Sequence, residues 1–96
     1  MTDKNAFEQK QEAKIEQMNA EIERLKAKAK EADAESRIKY QEKVDELEAL
    51  RGVAITKLDK LKQSSESAWT DISKGLDEAT TSLATAIKNA SQEFKS

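Results

Sequence analysis

The sequence predicts an all-α protein, and three observations carry that prediction. Proline is absent and glycine occurs only twice in 96 residues, while Ala, Leu, Ile, Glu, Lys and Gln dominate, a mixture that favours uninterrupted helix. No run gives the alternation or turn pair of a β-hairpin. The bulky apolar residues recur instead at helical spacing. Only 36% of residues are apolar, 38% are charged and 4% are aromatic. A single small domain, residues 1–96, therefore buries a seam between helices in place of a large interior.

The first helix is expected from about residue 3 to 62. On a 100° step, Phe7, Ile15, Met18, Ile22, Leu25, Ala29, Ala32, Tyr40, Val44, Leu47, Leu50, Ala54, Leu58 and Leu61 share one face. Thr2 or Asp3 is placed to cap its start, and an unbroken helix of that length would reach ~90 Å. Ile38 and Val53 lie off the stripe. The seam residues Ile15, Met18, Ile22, Leu25, Val44, Leu47, Leu58 and Leu61 are the candidate coiled-coil contacts. Successive steps of four through Ser36, Tyr40 and Val44 form a stutter that relaxes left-handed supercoiling. Small residues crowd the seam from Ala27 to Ser36; this is either a close-approach zone for another helix or the weak point of the coil.

Charges along this helix pair within it, as Asp33 with Arg37 and Glu35 with Lys39, but also form single-sign columns such as Glu8, Glu12 and Glu16. Such columns suit a neighbouring helix of opposite sign, although local i,i+3 pairs such as Glu23 with Lys26 also compensate them. The basic run RLKAKAK at residues 24–30 is followed at once by EADAE and carries no aromatic, so it reads as a solvated face.

The stretch KQSSESAW, residues 62–69, marks a turn at about 63–66, with Ser64, Ser65 or Ser67 as caps for the next helix. Beyond it the chemistry changes: residues 63–96 hold 11 Ser or Thr and 8 charged residues, against 3 and 28 in residues 1–62. The second helix, about residues 67–94, carries Trp69, Ile72, Leu76, Leu83, Ile87 and Phe94 on one face. Gly52 and Gly75 interrupt neither stripe and read as helical glycines, each costing ~1 kcal/mol relative to alanine. The expected architecture is an antiparallel hairpin in which the second helix covers residues 44–61. The N-terminal half of the first helix then stays bare and calls for a second subunit, so a homo-oligomer or another helical protein is the expected partner.

Several function classes lose support. With no cysteine and no histidine, disulfides, thiolates, zinc, haem and the usual proton-transfer side chain are absent. No enzyme, catalytic residue, metal site or cofactor is expected. The Glu42 and Glu46 pair lacks the Glu-x-x-His elements of a di-iron bundle. A net charge of −2 gives no general case for nucleic acid. The charged start and the lack of a long apolar run point to a cytoplasmic protein. Two functional readings remain: a self-associating structural or interaction protein, and a peripheral membrane binder using the Ser/Thr-faced second helix, with Trp69, Ile72, Leu76, Leu83, Ile87 and Phe94 as the inserting face.

The segment VDELEALRGVAITKLDKLKQSSESAWTDISKGLDEA, residues 44–79, resembles a family of small bacterial coiled-coil proteins of cyanobacteria and proteobacteria associated with stress responses. The matching features are the long run through Leu61, the SSES break, Ala68 to Asp71, Gly75, and the closing Phe94 and Lys95. The resemblance implies a non-enzymatic, stress-related cytoplasmic role and brings no catalytic residue or ligand with it.

Overall fold

The computed structural model describes the backbone of residues 2–94 and the side chains of residues 4–94. It is all-helical: α1 spans Thr2–Glu31, α2 Ala34–Gln63 and α3 Glu66–Glu93. The three helices lie side by side in an up-down-up bundle of 50 × 17 × 16 Å. Lys4 meets Glu66 and Gln11 meets Asp77, so α1 and α3 run parallel. Glu12 meets Lys62 while Lys26 meets Glu48, so α2 runs against α1 and therefore against α3, whose Phe94 end meets Tyr40.

The single helix expected over residues 3–62 is two helices, and this changes the architecture. Ala32 and Asp33 leave the helical path between them. Asp33 is the N-cap of α2, with extended backbone at φ −65° and ψ 167°. Its carboxylate accepts from the Ser36 N–H at 2.8 Å, which satisfies one of the orphan donors at a helix start. The Arg37 guanidinium donates to the Ala32 carbonyl at 3.2 Å, bracing the turn from the other side. Asp33, read from sequence as an intrahelical partner of Arg37, is a helix stop.

The second turn comes at Ser64 and Ser65. The Ser64 hydroxyl donates back to the Leu61 carbonyl at 2.8 Å, closing α2. Ser65 is the N-cap of α3 by backbone position, without a side-chain cap bond. The cap expected from Thr2 or Asp3 lies outside the described side chains. Gly52 and Gly75 both lie inside helices, and neither has a positive φ.

Because α1 folds back, its stripe is covered within one chain. Ile15, Met18, Ile22, Leu25 and Ala29 of α1 join Val44, Leu47, Ala54, Leu58 and Leu61 of α2 and Leu76, Leu83, Ile87 and Ala90 of α3 in one core cluster. Full burial of a side chain such as Ile22, Leu47 or Leu83 contributes about 1.5–3 kcal/mol each. The bare N-terminal half that required a second subunit in the hairpin is therefore filled by intramolecular packing. Ile38 and Val53, off the stripe in the sequence, are exposed, as is Ile55.

Candidate functional site

The candidate packing and membrane-face residues named from sequence lie in the interior of the bundle or pack against its edge. Ile15, Met18, Ile22, Leu25, Val44, Leu47, Leu58 and Leu61 are buried, as are Leu76, Leu83 and Ile87. Trp69, Ile72 and Phe94 are half-buried and pack against that core. They form no separate site, and the face proposed for lipid is occupied by α1 and α2.

Aromatic pairs close the two ends of the bundle. At the end holding the α2–α3 turn, Phe7 meets Trp69 edge-on, with centroids 5.3 Å apart and planes at 69°. The Lys4 ammonium sits 5.7 Å from the Trp69 ring centroid and pairs with Glu66 at 3.3 Å. At the opposite end Tyr40 stacks on Phe94, and the Tyr40 hydroxyl donates to the Glu93 carbonyl at 3.4 Å. Trp69 thus anchors the start of α3 because Phe7, 62 residues earlier in the chain, supplies the surface it needs.

Polar contacts set the register between helices. Arg51 donates to Asn19 across α1 and α2, and Glu48 pairs with both Arg51 and Lys26 at 3.6 Å. Glu12 pairs with Lys62 and holds the Lys62 ammonium above its ordinary pKa, chiefly through their hydrogen bond. Asp33 has its pKa lowered, first by the Ser36 N–H and then by the Ser36 hydroxyl. Both groups are at the surface, and the pairs add little to stability individually.

Two polar residues were missed as core members. Gln11 is 1% exposed and Thr80 2% exposed. Gln11 donates to Asp77 at 3.3 Å, while its carbonyl oxygen Oε1 is buried without a partner. Thr80 donates to the Asp77 carbonyl at 3.0 Å. The signal for both was position: Gln11 fills the gap between Phe7 and Ile15, and Thr80 that between Leu76 and Leu83, on the core face. Reading by hydropathy alone passes over them.

The surface between helices is grooved. One groove, about 580 Å³, lies between α2 and α3 and is lined by residues including Lys43, Glu46, Asn89 and Glu93. A second, about 350 Å³, lies between α1 and α3, with Lys14, Gln17 and Met18 facing Thr81, Ala84 and Thr85. Among the described residues no cluster of three metal-ligating side chains occurs, and no helix is long and apolar enough to cross a membrane. No known family profile matches the chain, and comparison with curated proteins and with solved structures returns no match.

Proposed function

We propose that the protein is a non-enzymatic structural or interaction module that associates with other helices, copies of itself first. The observation that supports this most is how the chain divides its chemistry. Bulky apolar residues fill the core, charge rows cover α1 and α2, and the stretch Ala79–Ile87 of α3 carries no charge at all. The neutral side of the α1/α3 groove, Thr81, Ala84 and Thr85, offers a helix partner a surface that costs little to desolvate. A cytoplasmic, stress-related setting is part of the same reading and rests on the resemblance of residues 44–79. Sedimentation velocity across protein concentration tests self-association: a concentration-dependent dimer is expected, and a monomer up to the solubility limit overturns it.

Peripheral lipid binding through α3 is the second reading, favoured by one feature. Of the three helices α3 separates apolar from polar residues most sharply, with Ser and Thr on its outer side. Insertion would require α3 to leave the bundle, because Leu76, Leu83 and Ile87 are buried there. Liposome flotation of the whole chain against Trp69→Ser checks this. Flotation lost in the variant supports lipid contact, and no flotation of the wild type refutes it.

A further inference from the structure

We infer that two copies of the chain exchange α1, with α1 and α2 fusing into one helix through Ala32 and Asp33. The inference rests on the self-association reading above and specifies its form. In the exchanged dimer, α1 of each chain packs on α2 and α3 of the other. Every contact between helices of the closed bundle is reproduced, and only the bonds of the turn at Ala32 and Asp33 change, because a second copy presents the identical surface.

Four observations converge on this hinge. Stepping 100° per residue, the mean direction of the α1 core residues differs from that of α2 by only about 5°. A helix running straight through residues 32–33 would therefore keep both core faces on one side, so fusion rotates neither stripe away from its partners. A hairpin imposes no such phase, since its turn resets the direction.

The second observation is the connection itself. Only Ala32 and Asp33 separate α1 from α2, as only Ser64 and Ser65 separate α2 from α3, so straightening two residues is enough to run one helix into the next. The third is local propensity. Residues 27–36, AKAKEADAES, contain no glycine or proline and are rich in alanine, so they accept a helical path readily. The α2–α3 connection differs: its core faces are also nearly in phase, within about 10°, but it passes through QSSES, where serines favour caps over helix interior. Exchange is thus directed to the first hinge.

The fourth is the row of small residues. In the exchanged dimer the two fused helices cross near residues 32–33, at the two-fold axis. Ala29, Ala32 and Ser36 stand there on the core side, and short side chains let two helix backbones approach closely.

Opening exchanges one set of hydrogen bonds for another. The Asp33 carboxylate gives up the Ser36 N–H, and the carbonyls at the end of α1 gain the amides at the start of α2 as partners. Residues 2–63 in one helix would span ~93 Å, against the 50 Å of the closed bundle.

The test compares full-length wild type, Asp33→Ala and Ala34→Pro by sedimentation, with solution scattering on the dimer and circular dichroism to confirm that each variant is folded. Asp33→Ala removes the cap that closes the turn and places a better helix former in the fused path, so dimerisation should strengthen about tenfold or more. Ala34→Pro suits the closed form, because residue 34 is the first of α2, where the proline N–H is not needed, and Asp33 is already extended. Proline breaks a fused helix, so dimerisation should weaken by roughly a hundredfold or more. A wild-type dimer with a maximum dimension of ~95 Å completes the expected result. Equal dimerisation of all three chains, or a dimer too short to hold a fused helix, overturns the exchange and leaves self-association standing. Wild type and Asp33→Ala both remaining monomeric overturns both.

Discussion

Tyr40 and Phe94 stack with ring centroids 4.1 Å apart and planes inclined by 28°, joining the first turns of α2 to the last residue of the α3 cap. Phe94 is the C-cap of α3, its N–H bonded to the Ala90 carbonyl. Aromatic pairs contribute about 0.5–1.5 kcal/mol beyond area burial. A double-mutant cycle of Tyr40→Leu and Phe94→Leu, read by urea denaturation, should return a coupling energy in that range. Additive losses would mean that the rings are in contact without stabilising one another.

Gln11 should be replaceable at a gain. Its Oε1 is buried without a partner, and an unsatisfied buried acceptor costs about 1–3 kcal/mol. Gln11→Met keeps the length of the side chain and removes the acceptor, while exposed Asp77 turns to water for its lost donor. The variant should be as stable as the wild type or more so by ~1 kcal/mol, seen as a raised midpoint in thermal unfolding. A clear loss would show that the Gln11–Asp77 bond outweighs the orphaned oxygen.

Glycine 52 offers a second gain. It lies inside α2 with no positive φ, and a Cβ built there meets nothing within 4 Å. Gly52→Ala should stabilise by about 0.4–1 kcal/mol through the unfolded chain and helix propensity. At Gly75 the added Cβ would come 3.7 Å from Lys57 Nζ, an ordinary contact, so Gly75→Ala should act in the same direction.

Truncation should distinguish core from surface along α2. Leu47→Ala, at a site 2% exposed, should cost about 2–5 kcal/mol. Ile38→Ala, at a site 68% exposed, should change stability by less than about 0.5 kcal/mol. Chemical denaturation of both, side by side, checks the ranking, and a large loss at Ile38 would place a hidden contact there.

The cap at Asp33 should titrate. Its folded pKa is lowered by the Ser36 N–H and hydroxyl, with a smaller contribution from Arg37. The cap's contribution is therefore complete above the ordinary carboxylate value and is lost as pH falls through the lowered folded one. The Ser36 amide resonance should shift in that acidic window in wild type. In Asp33→Asn, which caps without ionising, it should stay flat.

Much of the bundle was legible in the sequence because its core follows a helical period. Ile15, Met18, Ile22, Leu25, Val44, Leu47, Leu58, Leu61, Leu76, Leu83 and Ile87 fall on packing faces by spacing alone and are buried, while Leu50 on the same stripe is half-buried. The break between α1 and α2 was not legible, for a specific reason. The stripe keeps its phase across Ala32 and Asp33, so periodicity is blind to the turn, and no glycine or proline marks it. Asp33 carried the only local signal, as a cap, and its i,i+4 spacing to Arg37 offered a competing explanation. Missing that break led to a hairpin with a bare half, and from there to a second subunit that the packing of α1 does not require. Gln11 and Thr80 escaped because the pattern was scored by side-chain polarity where position on the face decides burial.

The chain's only tryptophan and only tyrosine close opposite ends of a bundle 50 Å long. Tryptophan fluorescence therefore reports the fraying of one end, where Trp69 meets Phe7. Tyrosine absorbance reports the other, where Tyr40 meets Phe94. The protein carries its own pair of spatially separated optical probes, and coincidence or separation of their melting curves measures whether the rod unfolds as one unit or unzips from an end.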